Sequence, residues 1–231
     1  MKDYWPNASI PANIFSMTTI HDRLKEFFSH YTALKYDKNE RILRENENPT
    51  GVFFVNKGIT RLYLISDEGN ELTVIMQPEE TVFPLRWAVD NQTNIYNYQA
   101  MTPVELWRAP REEFLKFLTE NPDITLGLLS QQMFDFSALV YRMQHIVFGN
   151  AHAKVASIVL TAAKRFGEAQ EDGGTLVQVP MTHQQIADSA GITRETASLE
   201  MKKLKDEGII NYKGRTIIIN DMEQLGKVSY L

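Results

Sequence analysis

Arg194 and Glu195 stand side by side in the run Ile192-Thr193-Arg194-Glu195-Thr196-Ala197-Ser198. A guanidinium offers a planar fork of donors that can bond twice to one partner, while an ionised carboxylate offers acceptors only. Set at the start of a helix, such a pair can match a flat edge that presents both kinds of group. Guanine and cytosine present these edges in the major groove of a duplex. Ser198 adds a short hydroxyl about one turn further on. Thr196 and the helix-capping groups are placed to hold phosphate oxygens, and the basic tip with Lys213 and Arg215 to lie beside the backbone. Taken alone, Arg194 and Glu195 fit equally well as solvated residues in a helix's first turn.

The elements around these residues narrow the choice. Thr182 is followed three residues later by Gln185, the spacing of a capping box, in which two orphan backbone amides are satisfied reciprocally. Ile186, Ala187 and Ala190 supply the buried face of that first helix. Gly191 ends it, Ile192 fills the turn, and Thr193 caps a second helix from about Arg194 to Glu207, with Ala197, Met201 and Leu204 facing inward. Two short helices joined by a Gly-containing turn make a helix-turn-helix. Ile209-Ile210-Asn211-Tyr212, the tip Lys213-Gly214-Arg215 and Thr216-Ile217-Ile218-Ile219 then read as a small hairpin, a wing with a basic tip.

Upstream, residues 34–110 carry short apolar runs between turns. These are Val52–Val55 before Asn56-Lys57-Gly58, Ile59–Ile65, the hairpin turn Asp67-Glu68-Gly69-Asn70, Glu71–Met76 and Val104–Trp107. The pattern predicts an antiparallel roll or barrel. A short helix over 111–118 follows, and Asn121-Pro122-Asp123 opens a long one. Along it Leu126, Leu129, Met133, Phe136, Val140, Met143 and Val147 alternate at spacings of three and four. That period of 3.5 is a coiled-coil seam between two copies of the chain, or else one face of an intramolecular core helix. Leu128, Leu139 and Ile146 form a second stripe, which lets the helix pack on its own roll and still pair with a partner. Gly149-Asn150 breaks it, a further helix spans 153–166, and Glu171-Asp172-Gly173-Gly174 is a loop. The expected class is α+β: a β-roll sensor over 1–118, a dimerisation helix over 119–149 and a winged helix-turn-helix over 150–231.

Composition removes several function classes. The 231 residues include no cysteine, so disulfides, thiolate metal sites and cysteine nucleophiles are out. The five histidines form no metal-binding pair, with His145 and His152 lying either side of the Gly149 break. No nucleophile elbow, phosphate loop or dinucleotide fingerprint is present, so neither an enzyme nor a cofactor is expected. The start Met1-Lys2-Asp3-Tyr4-Trp5-Pro6 has no apolar run behind it and no later stretch is long enough to span a membrane. A cytoplasmic protein is expected. The net charge of −5 is uneven: residues 150–231 hold ten basic and ten acidic side chains, so the excess acid lies upstream.

The order of these elements resembles the CRP/FNR superfamily of bacterial regulators over nearly the whole chain. The most specific stretches are Met181-Thr182-His183-Gln184-Gln185-Ile186-Ala187 and Gly191-Ile192-Thr193-Arg194-Glu195-Thr196-Ala197-Ser198. The resemblance implies a homodimer on an inverted repeat with a TGA-like core. Arg194, Glu195 and Ser198 would read bases, while Thr182, His183, Gln184 and Thr196 would hold phosphates, with Lys213 and Arg215 beside the backbone in the wing. Where many members carry another base-reading Arg, this chain has Leu199. Cyclic-nucleotide-binding members clamp ribose and phosphate with a Gly-Glu pair and an Arg-Ser pair. Here those stretches read Val82-Phe83-Pro84-Leu85-Arg86-Trp87 and Asn94-Ile95-Tyr96-Asn97-Tyr98-Gln99-Ala100, without the carboxylate or the matching cation. Classical cAMP sensing is thus not expected unless Arg86 substitutes from another direction. The roll binds another small molecule, or no ligand at all with activity set by abundance, and the missing cysteines exclude an oxygen-sensing cluster. Arg86, Trp87, Tyr96, Tyr98, Gln132 and Arg142 are the candidates for an unknown small-molecule effector, and RNA polymerase is a further candidate partner. The alternative from another class is a small-molecule-binding roll whose helix-turn-helix makes protein contacts.

Overall fold

Three side chains at helical spacing, Ile20, Leu24 and Phe28, are fully buried on one face of α1 (Met17–Ser29), a helix not expected from the sequence pattern. It opens the part of the chain that the computed structural model describes, residues 17–171, 173–179, 181–214 and 216–229. The N-terminal run Met1–Pro6, Asp172 in the loop and Arg215 at the wing tip lie outside the described residues, as does the side chain of Ile146. The chain divides into two compact units. One holds the described residues up to Leu64 with Ile75–Ala138, and the other Ile65–Val74 with the residues from Leu139 onward.

The first unit contains β1 (Thr32–Tyr36), β2 (Arg41–Leu43), β3 (Val52–Lys57), most of β4 (Thr60–Ile65), part of β5 (Glu71–Gln77), β6 (Val82–Phe83), β7 (Asn97–Ala100) and β8 (Val104–Ala109). They form two four-stranded sheets, ordered β1-β8-β3-β6 and β2-β7-β4-β5. The pairs β1–β8, β3–β8, β3–β6, β2–β7 and β4–β7 are antiparallel. Phe83 of the first sheet stacks on Tyr98 of the second at 4.6 Å, so the two sheets meet face to face as the expected antiparallel roll. β3 runs on to Lys57, past the expected turn at Asn56, because Lys57 still opposes Glu105 after a shift in register.

Period-two alternation gives β3 and β6 two buried faces. Phe53 and Phe83 point toward Tyr98, stacking on each other at 5.4 Å. Val52, Phe54 and Val82 point the other way, into a cluster with Ile20, Leu24, Phe28, Phe114 and Ile124. That cluster is closed by α1, by α2 (Leu85–Asp90, also not expected), by α3 (Arg111–Glu120) and by the start of α4 (Pro122–Phe148). Phe28 lies 5.4 Å from Phe54 and 5.6 Å from Phe114, ring to ring. Gly127 stands within α4 for a reason of space: a Cβ there would collide with Ile20 Cδ1. Arg23 of α1 pairs with Asp123 and Asn121 at the head of α4.

The second unit is built on α5 (Ala151–Phe166), which starts two residues earlier than expected. Asn150 caps it, its side-chain oxygen accepting from the Ala153 amide at 2.9 Å. The expected loop at 171–174 connects β9 (Gly167–Ala169) and β10 (Thr175–Val177). These join β11 (Ile210–Lys213) and β12 (Thr216–Ile219) in an antiparallel sheet ordered β11-β12-β10-β9. Between them lie α6 (His183–Ala190) and α7 (Arg194–Asp206), and α8 (Met222–Ser229) packs against α5. In this unit His145, buried on α4, lies 2.6 Å through Nε2 from the carbonyl of Ser229. Arg142 donates to the carbonyl of Val74 at 2.8 Å, tying the tip of the β4–β5 hairpin to the later turns of α4.

Truncating a fully buried ring removes its transfer energy and leaves a cavity. Phe28→Ala is expected to lower the stability of the first unit by about 3–5 kcal/mol, read as an earlier first transition in urea followed by tryptophan fluorescence.

Candidate nucleic-acid interface

The turn between α6 and α7 follows the sequence pattern closely. The Thr182 hydroxyl accepts from the Gln185 amide at 3.2 Å, while the Gln185 side chain accepts from the Thr182 amide at 2.9 Å. Ile186, Ala187, Ser189 and Ala190 are buried. Gly191 then adopts φ 62°, ψ 43°, its amide donating back to the Ala187 carbonyl. No atom crowds that position, so the left-handed backbone alone calls for glycine. Thr193 caps α7, accepting from the Thr196 amide at 3.2 Å, and the two hydroxyls lie 3.0 Å apart.

Ala197, Met201 and Leu204 seat α7 in the unit, leaving Glu195 and Lys202 exposed on the other side, Ser198 half-buried, and Arg194 exposed as the first residue of the helix. Glu195 in the first turn and Lys203 and Lys205 in the last suit the helix dipole. Arg194 does not: its cation sits at the positive end, so its own helix gains nothing electrostatic from it. Thr182 and Gln184 are exposed and His183 half-buried at the head of α6, with Gln184 donating to Asp188 at 2.7 Å. Lys213 is exposed at the end of β11, opposite Thr216. Within this one unit the structure therefore brings every described residue expected at the interface onto α6, α7 or the wing.

Five of the six residues expected around an effector belong to the first unit, where they are not gathered in the same way, and Arg142 belongs to the second. Trp87 packs on the cluster that contains Phe54, whereas Tyr98 stacks on Phe83, whose ring leaves the sheet on the opposite side from Val82. The pleat thus separates the two rings. Arg86 is exposed and pairs with Asp90 one turn on at 3.4 Å. Tyr96 is half-buried, Gln132 is exposed, and Arg142 is engaged by Val74, with burial lowering its pKa.

One participant was missed by sequence reasoning. Glu200 lies on the inward side of α7 and is 7% exposed. Its carboxylate accepts from His152 Nδ1 of α5 at 2.8 Å and from Lys203 Nζ at 2.8 Å, and Glu207 lies 3.7 Å from His152 Nε2. An acid at helical spacing from Ala197, Met201 and Leu204 looks like part of the solvated face until its partner on another helix is known. Burial pushes the Glu200 carboxyl up, but the bonds from Lys203 and His152 outweigh it and hold the pKa below its ordinary value. A depressed carboxyl stabilises the fold above its unfolded pKa and loses that contribution as pH falls through the folded value. Glu200→Gln should therefore melt earlier than the parent at neutral pH. The difference should close as the pH is taken below about 4, as followed by circular dichroism.

Comparison with known proteins agrees with this geometry. The Crp-like helix-turn-helix domain matches residues 153–228, and the cyclic nucleotide-binding domain matches residues 33–121. A global nitrogen regulator of Synechocystis is 27% identical over 191 residues, 80% of this chain and 83% of its own. The cAMP-activated global transcriptional regulator CRP of Salmonella typhimurium is 23% identical over 197 residues, covering 85% and 93%. Two solved structures share the fold. FixK2 of Bradyrhizobium japonicum has a TM-score of 0.75 at 21% identity, covering 87% of this chain and 98% of its own. A CooA variant of Carboxydothermus hydrogenoformans has a TM-score of 0.74 at 22% identity, covering 89% and 90%. A cyclic nucleotide needs a cation or amide nest for its phosphate and an acceptor for its ribose. Residues 82–87 and 94–100 offer Arg86 as their one cation, already paired with Asp90, and no carboxylate, beside the buried rings of Phe83 and Tyr98. The charged pair that would clamp such a ligand is absent from these stretches. No helix among the described residues is long and apolar enough to cross a membrane. The two matched domains in this order, on a fold shared with solved regulators, make the chain a member of the CRP/FNR superfamily of transcription regulators, with a DNA-binding helix-turn-helix.

Proposed function

We propose that the chain acts in the cytoplasm as a homodimer that sets two copies of α7 into successive major grooves of an inverted repeat. Half-sites then lie about 34 Å apart, one turn of the duplex. Arg194 donates to guanine, Glu195 accepts from cytosine and Ser198 bonds a neighbouring base. Thr182, His183, Gln184, Thr196 and Lys213 hold phosphates and fix the register, as does Arg215. The reading keeps the division of labour into a sensor over 1–118, a dimerisation helix over 119–149 and a DNA-binding domain over 150–231. A small-molecule effector other than a cyclic nucleotide acts by shifting the population between binding-competent and incompetent dimers, and RNA polymerase is the partner of the DNA-bound form.

The observation that carries the DNA reading is the exposed Arg194-Glu195 pair in the capped first turn of α7, with Glu195 across the helix from the buried Ala197, Met201 and Leu204. Support for the dimer comes from α4. Leu126, Leu129, Met133, Phe136, Val140, Met143 and Val147 keep 49% to 63% of their surface in water along one face of a 27-residue helix. Leu128 of the second stripe instead packs on the chain's own phenylalanine cluster. A stripe of that length and period is covered in solution by its own copy.

Selection of bound duplexes from a random library at near-physiological salt tests the reading. The parent should enrich a symmetric motif. Arg194→Ala should lose information at one position per half-site, at a cost of about 1–3 kcal/mol, whereas uniform weakening across all sequences would contradict base reading. Phe136→Glu, placed on the exposed seam, should leave the melting curve of each unit in place but give a monomer in sedimentation. Its affinity for the full repeat should fall at least tenfold, roughly to that for a half-site.

A further inference from the structure

Away from α4, Leu199 is one of the two most exposed large apolar side chains among the described residues, at 61% beside 64% for Val89. Helix propensity does not explain it, since Lys or Arg would serve an exposed helical position equally well. Packing does not explain it either. At about 100° per residue, Leu199 lies roughly opposite Ala197, Met201 and Leu204, and only about 40° round the helix from Glu195. It is flanked on that face by Glu195, Ser198 and Lys202, all polar. Its rise from Glu195 is about 6 Å, less than two base-pair steps.

The floor of the major groove is almost wholly polar, and its single protruding apolar group is the C5-methyl of thymine. We propose that Leu199 reads that methyl group, on a thymine within two base pairs of the one engaged by Glu195. The inference rests on the major-groove reading of α7 given above and assigns to it a fourth, apolar reader. Leucine has no donor or acceptor, so it contributes to specificity only where a methyl group lets both partners leave water. A cytosine or a purine at that position offers it nothing.

Deoxyuridine differs from thymidine only in lacking this methyl, so the test alters the DNA and leaves the protein folded. The selected operator is prepared with each thymine of one half-site replaced in turn by deoxyuridine, and the full-length dimer is titrated by fluorescence anisotropy. One replacement should weaken the parent by about fourfold, the equivalent of one buried methyl. The same replacement should leave Leu199→Ala unchanged. A parent indifferent to every replacement overturns the inference, and so does a methyl effect that survives in full in Leu199→Ala. If no operator can be selected at all, the DNA reading falls and this inference with it. An operator bound tightly but without regard to its methyl groups removes this inference alone.

Discussion

Helix α4 has two apolar faces, and its own chain covers only one of them. On the covered side Gly127 gives up its side chain so that Ile20 can approach, and Leu128 reaches the cluster of Phe28, Phe54 and Phe114. On the other side, leaving each Leu, Met or Phe half in water forgoes on the order of 1 kcal/mol. The same helix gives the first unit its floor and carries His145 and Arg142 in the second. In the proposed dimer a second copy covers the exposed face, and the symmetry of the DNA site follows from that covering more than from anything in α7.

Within the second unit the decisive constraint is angular. A reading helix is useful only if the unit presents it at a fixed inclination, and the fully buried Ala197, Met201 and Leu204 hold the inward face of α7. The Glu200–His152 bond adds a directional tie between that side of α7 and the first turn of α5. A buried carboxylate is costly unless bonded on all sides, and here Lys203 supplies the second bond from the same helix. With ten charges of each sign in residues 150–231, long-range attraction to DNA is weak. Position, more than net charge, has to supply affinity.

Much of this is legible in the residues. The Thr182–Gln185 box, Gly191 and the Thr193 cap can be read directly because capping is local chemistry that no tertiary contact here overrides. The exposed apolar stripe of α4 is legible because seven apolar residues spaced alternately by three and four fall on one side of a helix and on no single face of a strand. What escapes has nonlocal causes. α1 shows a helical spacing of Ile20, Leu24 and Phe28, but only its docking on Phe54 and Phe114 makes that spacing persist as a helix. α2 is a six-residue element with no capping side chain, held by Ala88 in the same cluster. In the sequence Trp87 and Tyr98 read together as candidates from one wall of an effector pocket. Knowing that they lie on opposite sides of a sheet requires the register of β3 with β6 and the stack across to β7. Glu200 needs His152, 48 residues away in the chain.

The hydrogen bond from Arg142 to the Val74 carbonyl has a consequence for how the molecule comes apart. Residues 65–74 are continuous with β4 and β5, whose remaining residues belong to the first unit, yet they belong with the later turns of α4. Cooperative unfolding units need not follow strand boundaries. In native-state amide exchange, the tip of this hairpin should open in step with the C-terminal half of α4. Its base should open with the roll, so that a single hairpin is divided between two foldons.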